Sequence, residues 1–513
     1  MLGFSVLFLA GCYDDDTPIK HSVALADLSS MTVADYRLNP QRVSEKLALF
    51  CAAEPSHRST LTRVKSYYSE GGAPVWLDAY GFDARADTLL RFLEQQLPLM
   101  GFSGRPFRLS QIAADLQAMR TLRFPAKDDA SSVAARLEYN LTRAYMLYVS
   151  GQRFGFINPG YVLNHFDASS RDTLGHATAY HHLFDVPIEH ADNSYQQKAL
   201  SKVSADSLGI YLRRVAPRSV LYARLQSMLP TGDTLLRRRI MVNMERCRWR
   251  ESLSAADAER YVVVNVPAYH LWAVSPDTIV HMRVACGATR TKTPLLTSRI
   301  THMEVNPEWS VPMSIISADM ARHAGDSSYF ARHRYYIADR KTGRHLSPSH
   351  VSAAMLRSGH YRVAQRGGAG NSLGRIIFRF PNNFSVFLHD TSSPGAFGRD
   401  DRGVSHGCVR VQCPFDLAQF LLGSAADEWQ LDQLRISMGM KPATEQGQDY
   451  IDALPPDAPA PQLVRSLAVN PRVPVLITYY TIFLTPDGTL QHYPDVYGYD
   501  KAIGEALKPF IAQ

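Results

Sequence analysis

The sequence predicts an α+β protein in which an all-α N-terminal domain precedes a mostly β domain. From about residue 40 to residue 250, apolar side chains recur every three or four positions, which is typical of packed helices. At Arg260 the period changes to two, which is typical of half-buried strands. The 513 residues are enough for both domains to bury a core of their own.

The helical domain is expected to cover residues 39–255, after a short apolar terminus (1–12) and a polar tether (13–38). Leu89, Leu93 and Leu97 fall on one helical face. Turn residues such as Asn158-Pro159-Gly160 separate the helices. Because no fixed-period repeat is evident, this region is interpreted as a scaffold domain.

The β domain is expected to cover residues 256–513. Residues 261–267, 270–274 and 279–284 alternate as the strands of a meander, and further strands are predicted at 375–389 and around Cys408. Residues 315–365 interrupt the alternation and predict an inserted lid. Pro414 is well placed to begin a helix. The last strands, at 473–495, are expected to complete the same sheet.

Residues 405–410 read Ser-His-Gly-Cys-Val-Arg, and His389 lies nineteen residues before Cys408. A cysteine is a strong nucleophile as its thiolate, and a neighbouring imidazole is the usual means of forming one near neutral pH. Gly407 tolerates positive φ, so the amides of this turn can point at an oxyanion. The alternative is a buried structural thiol, since free cysteine is among the most buried residue types.

Composition narrows the classes of function. The net charge is +7, but Lys and Arg are scattered and no nucleic-acid motif is evident. None of the six cysteines forms a CxxC pair, so no metal site is indicated and free thiols are expected. We expect neither a metal nor an organic cofactor.

The first twelve residues end Leu-Ala-Gly-Cys after an apolar run. This resembles a bacterial lipoprotein signal, in which Cys12 is lipidated and becomes the first mature residue. The run is too short to span a bilayer. We therefore expect a lipid anchor at Cys12, most simply on the periplasmic face of the outer membrane of a Gram-negative cell.

The Ser-His-Gly-Cys-x-Arg motif with an upstream His-Asp resembles the signature of the L,D-transpeptidases, the YkuD-domain family. Other segments resemble the large periplasmic YcbB-type subgroup, in the same order along the chain: residues 243–246, 264–269, 292–294, 306–312, 371–375, 380–382 and 475–481. Members of that subgroup commonly insert a peptidoglycan-binding domain before the first of these segments. The few residues between Pro230 and Asn243 predict that this domain is absent.

The resemblance implies a cysteine transpeptidase that makes 3→3 cross-links between peptidoglycan tetrapeptide stems, one as donor and one as acceptor. It is also a family that carbapenems acylate. In the implied roles, Cys408 is the nucleophile, His389 the base oriented by the Asp390 carbonyl, and the amides of His406, Gly407 and Cys408 hold the oxyanion. The candidate substrate-binding residues are Ser405, Phe387, Trp309 and Arg410. Phe387 and Trp309 could instead be part of the hydrophobic core, and Arg410 could instead brace the structure of the site.

Other functions compete with this one. The same cysteine serves an L,D-carboxypeptidase or an enzyme that attaches stems to a protein lysine, because these reactions differ only in the acceptor. A non-enzymatic wall-binding lipoprotein would not need the intact motif. A papain-like protease places its cysteine before its histidine, whereas here His389 precedes Cys408. No partner synthase is indicated by the sequence.

Overall fold

The computed structural model describes residues 38–55, 58–78, 81–203, 207–250 and 258–512. The predicted signal with Cys12 and all but the last residue of the tether therefore lie outside the described residues. Among the helices described, none combines the length and the apolar character needed to cross a membrane.

The helices, in chain order, are α1 (Pro40–Ala53), α2 (Ser59–Ser69), α3 (Ala84–Gln96), α4 (Leu109–Thr121), α5 (Ala130–Phe154), α6 (Pro159–Asn164), α7 (Asn193–Ser201), α8 (Leu208–Arg214), α9 (Val220–Met228), α10 (Thr234–Arg246), α11 (Met313–Ile315), α12 (Ser327–Arg332), α13 (Ala353–Arg357), α14 (Pro414–Leu422), α15 (Glu428–Ser437), α16 (Glu445–Asp452) and α17 (Tyr499–Leu507).

The strands are β1 (Leu77–Asp78), β2 (Gly81–Phe82), β3 (Ala168–Arg171), β4 (Ala177–Tyr180), β5 (Phe184–Asp185), β6 (Tyr261–Asn265), β7 (His270–Val274), β8 (Ile279–Gly287), β9 (Leu295–Val305), β10 (Trp309–Ser310), β11 (Tyr335–Asp339), β12 (His345–Leu346), β13 (Tyr361–Gln365), β14 (Ile376–Arg379), β15 (Leu388–His389), β16 (Gly403–Ser405), β17 (Val409–Val411), β18 (Ser466–Thr478), β19 (Ile482–Leu484) and β20 (Leu490–His492).

The described chain divides into two compact units. The helical unit contains residues 38–157, 189–250 and 504–512, and the β unit contains residues 158–188 and 258–503. The predicted α+β class, with a helical domain ahead of a mostly β domain, is confirmed. The observed boundaries differ from the expected ones because residues 158–188 belong to the β unit.

The 25-residue helix α5 forms the centre of the helical unit, and nearly all of its residues are buried. Its first turn is capped by the Asp129 carboxylate, which accepts from the Ser132 amide. Within α5, the buried Glu138 carboxylate accepts hydrogen bonds from the backbone amides of residues 75–77. This single side chain satisfies three backbone donors and so fixes the chain that leads into β1.

The main sheet of the β unit closes on itself. Its strand order is β14-β15-β17-β8-β7-β6-β18-β9, and β9 pairs back to β14. The strand β18 lies between β6 and β9, so the expectation that a late strand completes this sheet agrees with the structure. It begins at Ser466, earlier than expected, while β19 and β20 form a hairpin of their own.

The lid predicted at 315–365 is a subdomain that begins a few residues earlier. The strands β10, β13, β11 and β12 form a small antiparallel sheet that the sequence pattern did not predict. With the short helices between them they enclose a separate core: Val311, Ile316, Met320, Phe330, Ile337, Val351, Leu356 and Val363. The insertion therefore has apolar packing of its own.

Candidate active site

The two strands that carry the motif residues are parallel neighbours. In their register Leu388 lies opposite Val409, and His389 lies opposite Arg410. Leu388 and Val409 are fully buried, which leaves His389, Cys408 and Arg410 on the other face of the sheet. His389 is then diagonal to Cys408, with Cα atoms about 8 Å apart as strand geometry dictates. The structure thus places the candidate nucleophile directly before the strand that pairs with the strand of the candidate base.

His389 is buried and held by its neighbour. Its Nδ1 lies 2.5 Å from the Asp390 carbonyl oxygen, the contact that the family resemblance implies. Because a carbonyl only accepts, Nδ1 carries the hydrogen and Nε2 is left with a lone pair. Burial, followed by the charge of Arg410, lowers the pKa of His389 to about 4. The imidazole is therefore neutral at neutral pH and able to accept a proton.

Asp390 is itself fixed by the backbone around it. Its carboxylate accepts hydrogen bonds of 2.7 Å from the amides of Arg375 and Thr391, and its own amide donates to Ile376. Gly374 makes this possible, because a Cβ there would lie 2.4 Å from the Asp390 carboxyl carbon. These contacts determine where the Asp390 carbonyl meets His389.

Cys408 is a partly buried free thiol, and Cys413 is also free. The Cys408 Sγ lies 3.9 Å from the Ser385 carbonyl oxygen. Burial raises the pKa of the Cys408 thiol, while the Phe387 backbone and the charges of Arg379 and Arg410 lower it in part. At rest these pKa shifts favour a neutral thiol on Cys408 and a neutral imidazole on His389.

The turn before the cysteine is braced by Ser405. Its Oγ donates to the Cys408 carbonyl at 2.5 Å and accepts from the Gly407 amide at 3.1 Å. Ser405 is buried, and its hydroxyl is already hydrogen-bonded to two backbone groups. No described contact therefore supports the substrate-binding role expected for it. The Gly407 amide is likewise already used. Among the described residues, the amides of His406 and Cys408 have no protein acceptor, and these two remain candidates for an oxyanion.

A second layer under the turn was not assigned any role from the sequence. Thr293 donates from Oγ1 to the Gly407 carbonyl at 2.9 Å and accepts from the Gly287 amide at 2.8 Å. Tyr497 donates to the Gly287 carbonyl at 2.6 Å and accepts from the Thr293 amide. Gly287 must be glycine here, since a Cβ would lie 2.1 Å from the Thr291 carbonyl oxygen. Only Thr293 had a sequence signal, as part of the segment 292–294.

The turn that presents the Ser385 carbonyl was predicted as strand. The Asn382 side chain organises it instead: Oδ1 accepts from the amides of Phe384 and Val386, and Nδ2 donates to the Val386 carbonyl. Ser385 adopts a left-handed φ of 55°. A side chain that satisfies backbone amides replaces the strand pairing expected at 380–387.

Two arginines and an aromatic ring lie on the same side of the site. Arg410 has a buried Nε with no partner, and no described residue accepts a hydrogen bond from its guanidinium. Arg379 is held by the Glu304 carboxylate through two hydrogen bonds and lies 4.8 Å from the Phe387 ring centroid. Phe387 in turn makes an edge contact with the ring of His389. Arg410 is thus the cation of this face left for a ligand.

Trp309 is not brought to the cysteine by any described contact. It is half-buried on β10 and packs against the core of the lid. Trp309 therefore contributes to the core of the lid, which is the alternative interpretation of this aromatic residue.

Residues 158–188 contribute to the surroundings of the site. The strand β5 pairs with β9, and the His182 ring lies 5.3 Å from that of Phe384 in the Asn382 turn. Lys292, next to Thr293, forms an ion pair with Asp167 at 2.7 Å. The segment therefore touches both flanks of the turns that carry the motif residues. Within the described chain, no group of three or more His, Cys, Asp or Glu side chains is placed to hold a metal ion.

Comparison with known proteins agrees with this geometry. Residues 259–425 match the model of the YkuD L,D-transpeptidase catalytic domain, and residues 62–229 match the model of a scaffold domain. A protein of Haemophilus influenzae described as "Putative L,D-transpeptidase" is 28% identical over 323 residues, which cover 61% of this chain and 60% of that protein. The match thus spans less than two thirds of the relative's length. Residues 259–425 are thus similar to the L,D-transpeptidase catalytic domain of the YkuD family, and the scaffold match at residues 62–229 makes the combination consistent with a YcbB-type member.

Proposed function

We propose that this protein is a cysteine L,D-transpeptidase that forms 3→3 cross-links between peptidoglycan stem peptides. The observation that supports it most is that His389 lies in β15 and Cys408 directly before β17, the parallel neighbour of β15, with Nδ1 of the imidazole held by the Asp390 carbonyl. General base catalysis requires an imidazole that is unprotonated near neutral pH, and the lowered pKa of His389 provides it, while the raised pKa of Cys408 keeps the thiol protonated until attack.

In the proposed acylation step, Nε2 of His389 takes the thiol proton as Sγ of Cys408 attacks the carbonyl between the third and fourth residues of a donor stem. The tetrahedral intermediate collapses with cleavage of that peptide bond. His389 returns the proton to the departing amine, so that D-alanine leaves and a thioester remains. The side-chain amine of an acceptor's diamino acid then attacks the thioester, and the thiol is regenerated.

The amides of His406 and Cys408 are proposed to stabilise the tetrahedral oxyanion, each worth about 3 kcal/mol in comparable sites. Arg410 is proposed to bind a stem carboxylate, because its guanidinium shares the face of Cys408 and has no protein acceptor in the described chain. We further propose that the protein works on the periplasmic side of the cell envelope, anchored through a lipidated Cys12.

Product analysis by mass spectrometry of a purified disaccharide-tetrapeptide tests the proposal. The wild-type protein should release D-alanine and form a cross-linked dimer. Cys408→Ala should lose both activities while keeping the fold, and Cys413→Ala, which removes the other thiol nearby in sequence, should keep them. A carbapenem should add its mass to the wild type and to Cys413→Ala but not to Cys408→Ala.

Two results would change the conclusion. Trimmed monomers without dimers would make the enzyme an L,D-carboxypeptidase, and cross-linking by the Cys408→Ala variant would remove the nucleophile assignment altogether.

A further inference from the structure

A cavity of about 360 Å³ opens in the helical unit, and none of the candidate active-site residues lines it. Its volume lies in the range of small-ligand pockets. Six cationic side chains line it: Arg153, Lys198, Lys202, Arg214, Arg218 and Arg250. In the part of the chain that the structure describes, no carboxylate is among the lining residues.

By their exposure, five of these cations divide into a floor and a rim. Arg153 and Arg250 are half-buried and adjoin each other, since the Arg250 Nε donates to the Arg153 carbonyl at 3.2 Å. Lys198, Arg214 and Arg218 are exposed around the opening. The wall between them is made by Tyr195, Tyr211 and the buried Val215.

The positive charge of the floor is only partly neutralised. Arg153 pairs with the exposed Glu189 at the long distance of 3.5 Å, and its buried Nε has no partner. Burial, together with the charges of Arg153 and Arg218, lowers the pKa of Arg250, and Glu189 offsets this in part. Holding these guanidinium groups together therefore costs free energy that an anion in the cavity would recover.

We propose that this cavity is a binding site for a phosphate group that carries at least two negative charges. A tetrahedral phosphate offers three oxygens as acceptors, so that Arg153 and Arg250 bind it from the floor while rim cations close around it. A single carboxylate carries one charge and two acceptor oxygens, fewer than Arg153, Arg250 and the three exposed rim cations can bind. The two tyrosines give the ligand's remaining atoms an aromatic surface at the wall.

Isothermal titration calorimetry with inorganic pyrophosphate and inorganic phosphate tests the proposal on the purified full-length protein at low ionic strength. Both should bind, pyrophosphate more tightly because of its greater charge, and added salt should weaken both. The double variant Lys198→Gln/Arg214→Gln should lose about tenfold or more in affinity, the effect of one strong charge-assisted contact.

The matched control is Arg123→Gln/Arg213→Gln. It removes the same charge from exposed positions of the helical unit, and Arg213 lies next to Arg214 on α8 without lining the cavity. Absence of binding at millimolar pyrophosphate, or an equal loss in both double variants, would overturn the site. Co-sedimentation with phosphatidic acid vesicles, compared with phosphatidylcholine vesicles, then identifies the source of the group as a lipid headgroup if the protein sediments and as a soluble phosphate if it does not.

Discussion

The thiol of Cys408 and the imidazole of His389 are both shifted toward their neutral forms, the first by a raised pKa and the second by a lowered one. A preformed thiolate–imidazolium pair would need the opposite shifts. In the proposed mechanism the thiol is therefore deprotonated during attack, and a neutral resting thiol should react slowly with adventitious electrophiles.

Alkylation by iodoacetamide reports the state of the thiol. Because the pKa of Cys408 is raised, alkylation at pH 7 should be slower than for a free cysteine and should accelerate as pH rises through the alkaline range. Arg379→Gln removes a positive charge that lowers the pKa of Cys408. At every pH below that pKa, alkylation should therefore be slower in this variant than in the wild type. Arg299→Gln, an exposed change on β9, should leave the rate unchanged. A faster rate in Arg379→Gln would contradict this account.

The pH dependence of kcat/KM reports the imidazole. A base is active only when unprotonated, so the low pKa of His389, about 4, keeps it competent well below neutrality. We expect the acid limb of the profile near pH 4, whereas an unshifted histidine would give one near 6.5. An acid limb above pH 6 would show that His389 is not the group that titrates. His389→Ala should lower kcat by about 10²- to 10⁴-fold.

The grouping of most candidate residues was predictable because the motif is local: Cys408, Arg410 and the turn before them are contiguous in sequence. Arg379 was not predictable, since its approach to Phe387 and Cys408 depends on the pairing of β14 with β15. The bracing role of Ser405 was also hidden, because a serine in a motif carries no sign of whether its hydroxyl faces substrate or backbone.

At the scale of elements, periodicity identified the buried strands β6, β7 and β8 but failed at residues 380–387. The alternation there is real, with Val386 and Leu388 buried. It does not reveal that the Asn382 side chain satisfies the backbone amides that a neighbouring strand would otherwise pair. The lid strands were missed for a related reason, because two of the four are only two residues long.

The contact between Gly374 and Asp390 makes an element-level prediction. Gly374→Ala should displace the Asp390 carboxyl, which lies 2.4 Å from the position of the new Cβ, and thereby the carbonyl that orients His389. We expect a large fall in kcat in addition to a strain cost of about 1–2 kcal/mol for a left-handed alanine. Both are measurable, by turnover and by chemical unfolding.

The control is Gly370→Ala. Gly370 also has a positive φ, of 78°, but a Cβ there meets nothing within 4 Å. Gly370→Ala should lose about as much stability as Gly374→Ala but keep the kcat of the wild type. Equal kcat losses in the two variants would mean that strain, and not the position of Asp390, affects catalysis.

For the whole molecule, a boundary drawn along the chain could not anticipate that residues 158–188 join the β unit. Domain prediction from periodicity assumes that neighbours in sequence share a core. The strand β5 instead pairs with β9, more than a hundred residues later, and only two of its residues take part. Two residues carry no detectable period, so this long-range pairing leaves no local signal.

The ion pair between Asp167 and Lys292 tests whether this segment supports the site. The Lys292 side chain is 9% exposed, and its ammonium group contacts the Asp167 carboxylate and the Thr289 carbonyl. Asp167→Asn leaves that ammonium group buried without its counter-charge, which should destabilise the β unit by about 1–3 kcal/mol. Adding Lys292→Met should restore much of the loss, because the unpaired charge is then gone. The control Asp449→Asn changes an exposed carboxylate on α16 and should have little effect on stability.

Hydrogen exchange locates the effect of the same variant. Exchange at residues 291–293 and 405–408 should become faster in Asp167→Asn but not in Asp449→Asn, since Thr293 holds the Gly407 carbonyl. Unchanged exchange there would mean that residues 158–188 merely cover the sheet and do not stabilise the turn that carries Cys408.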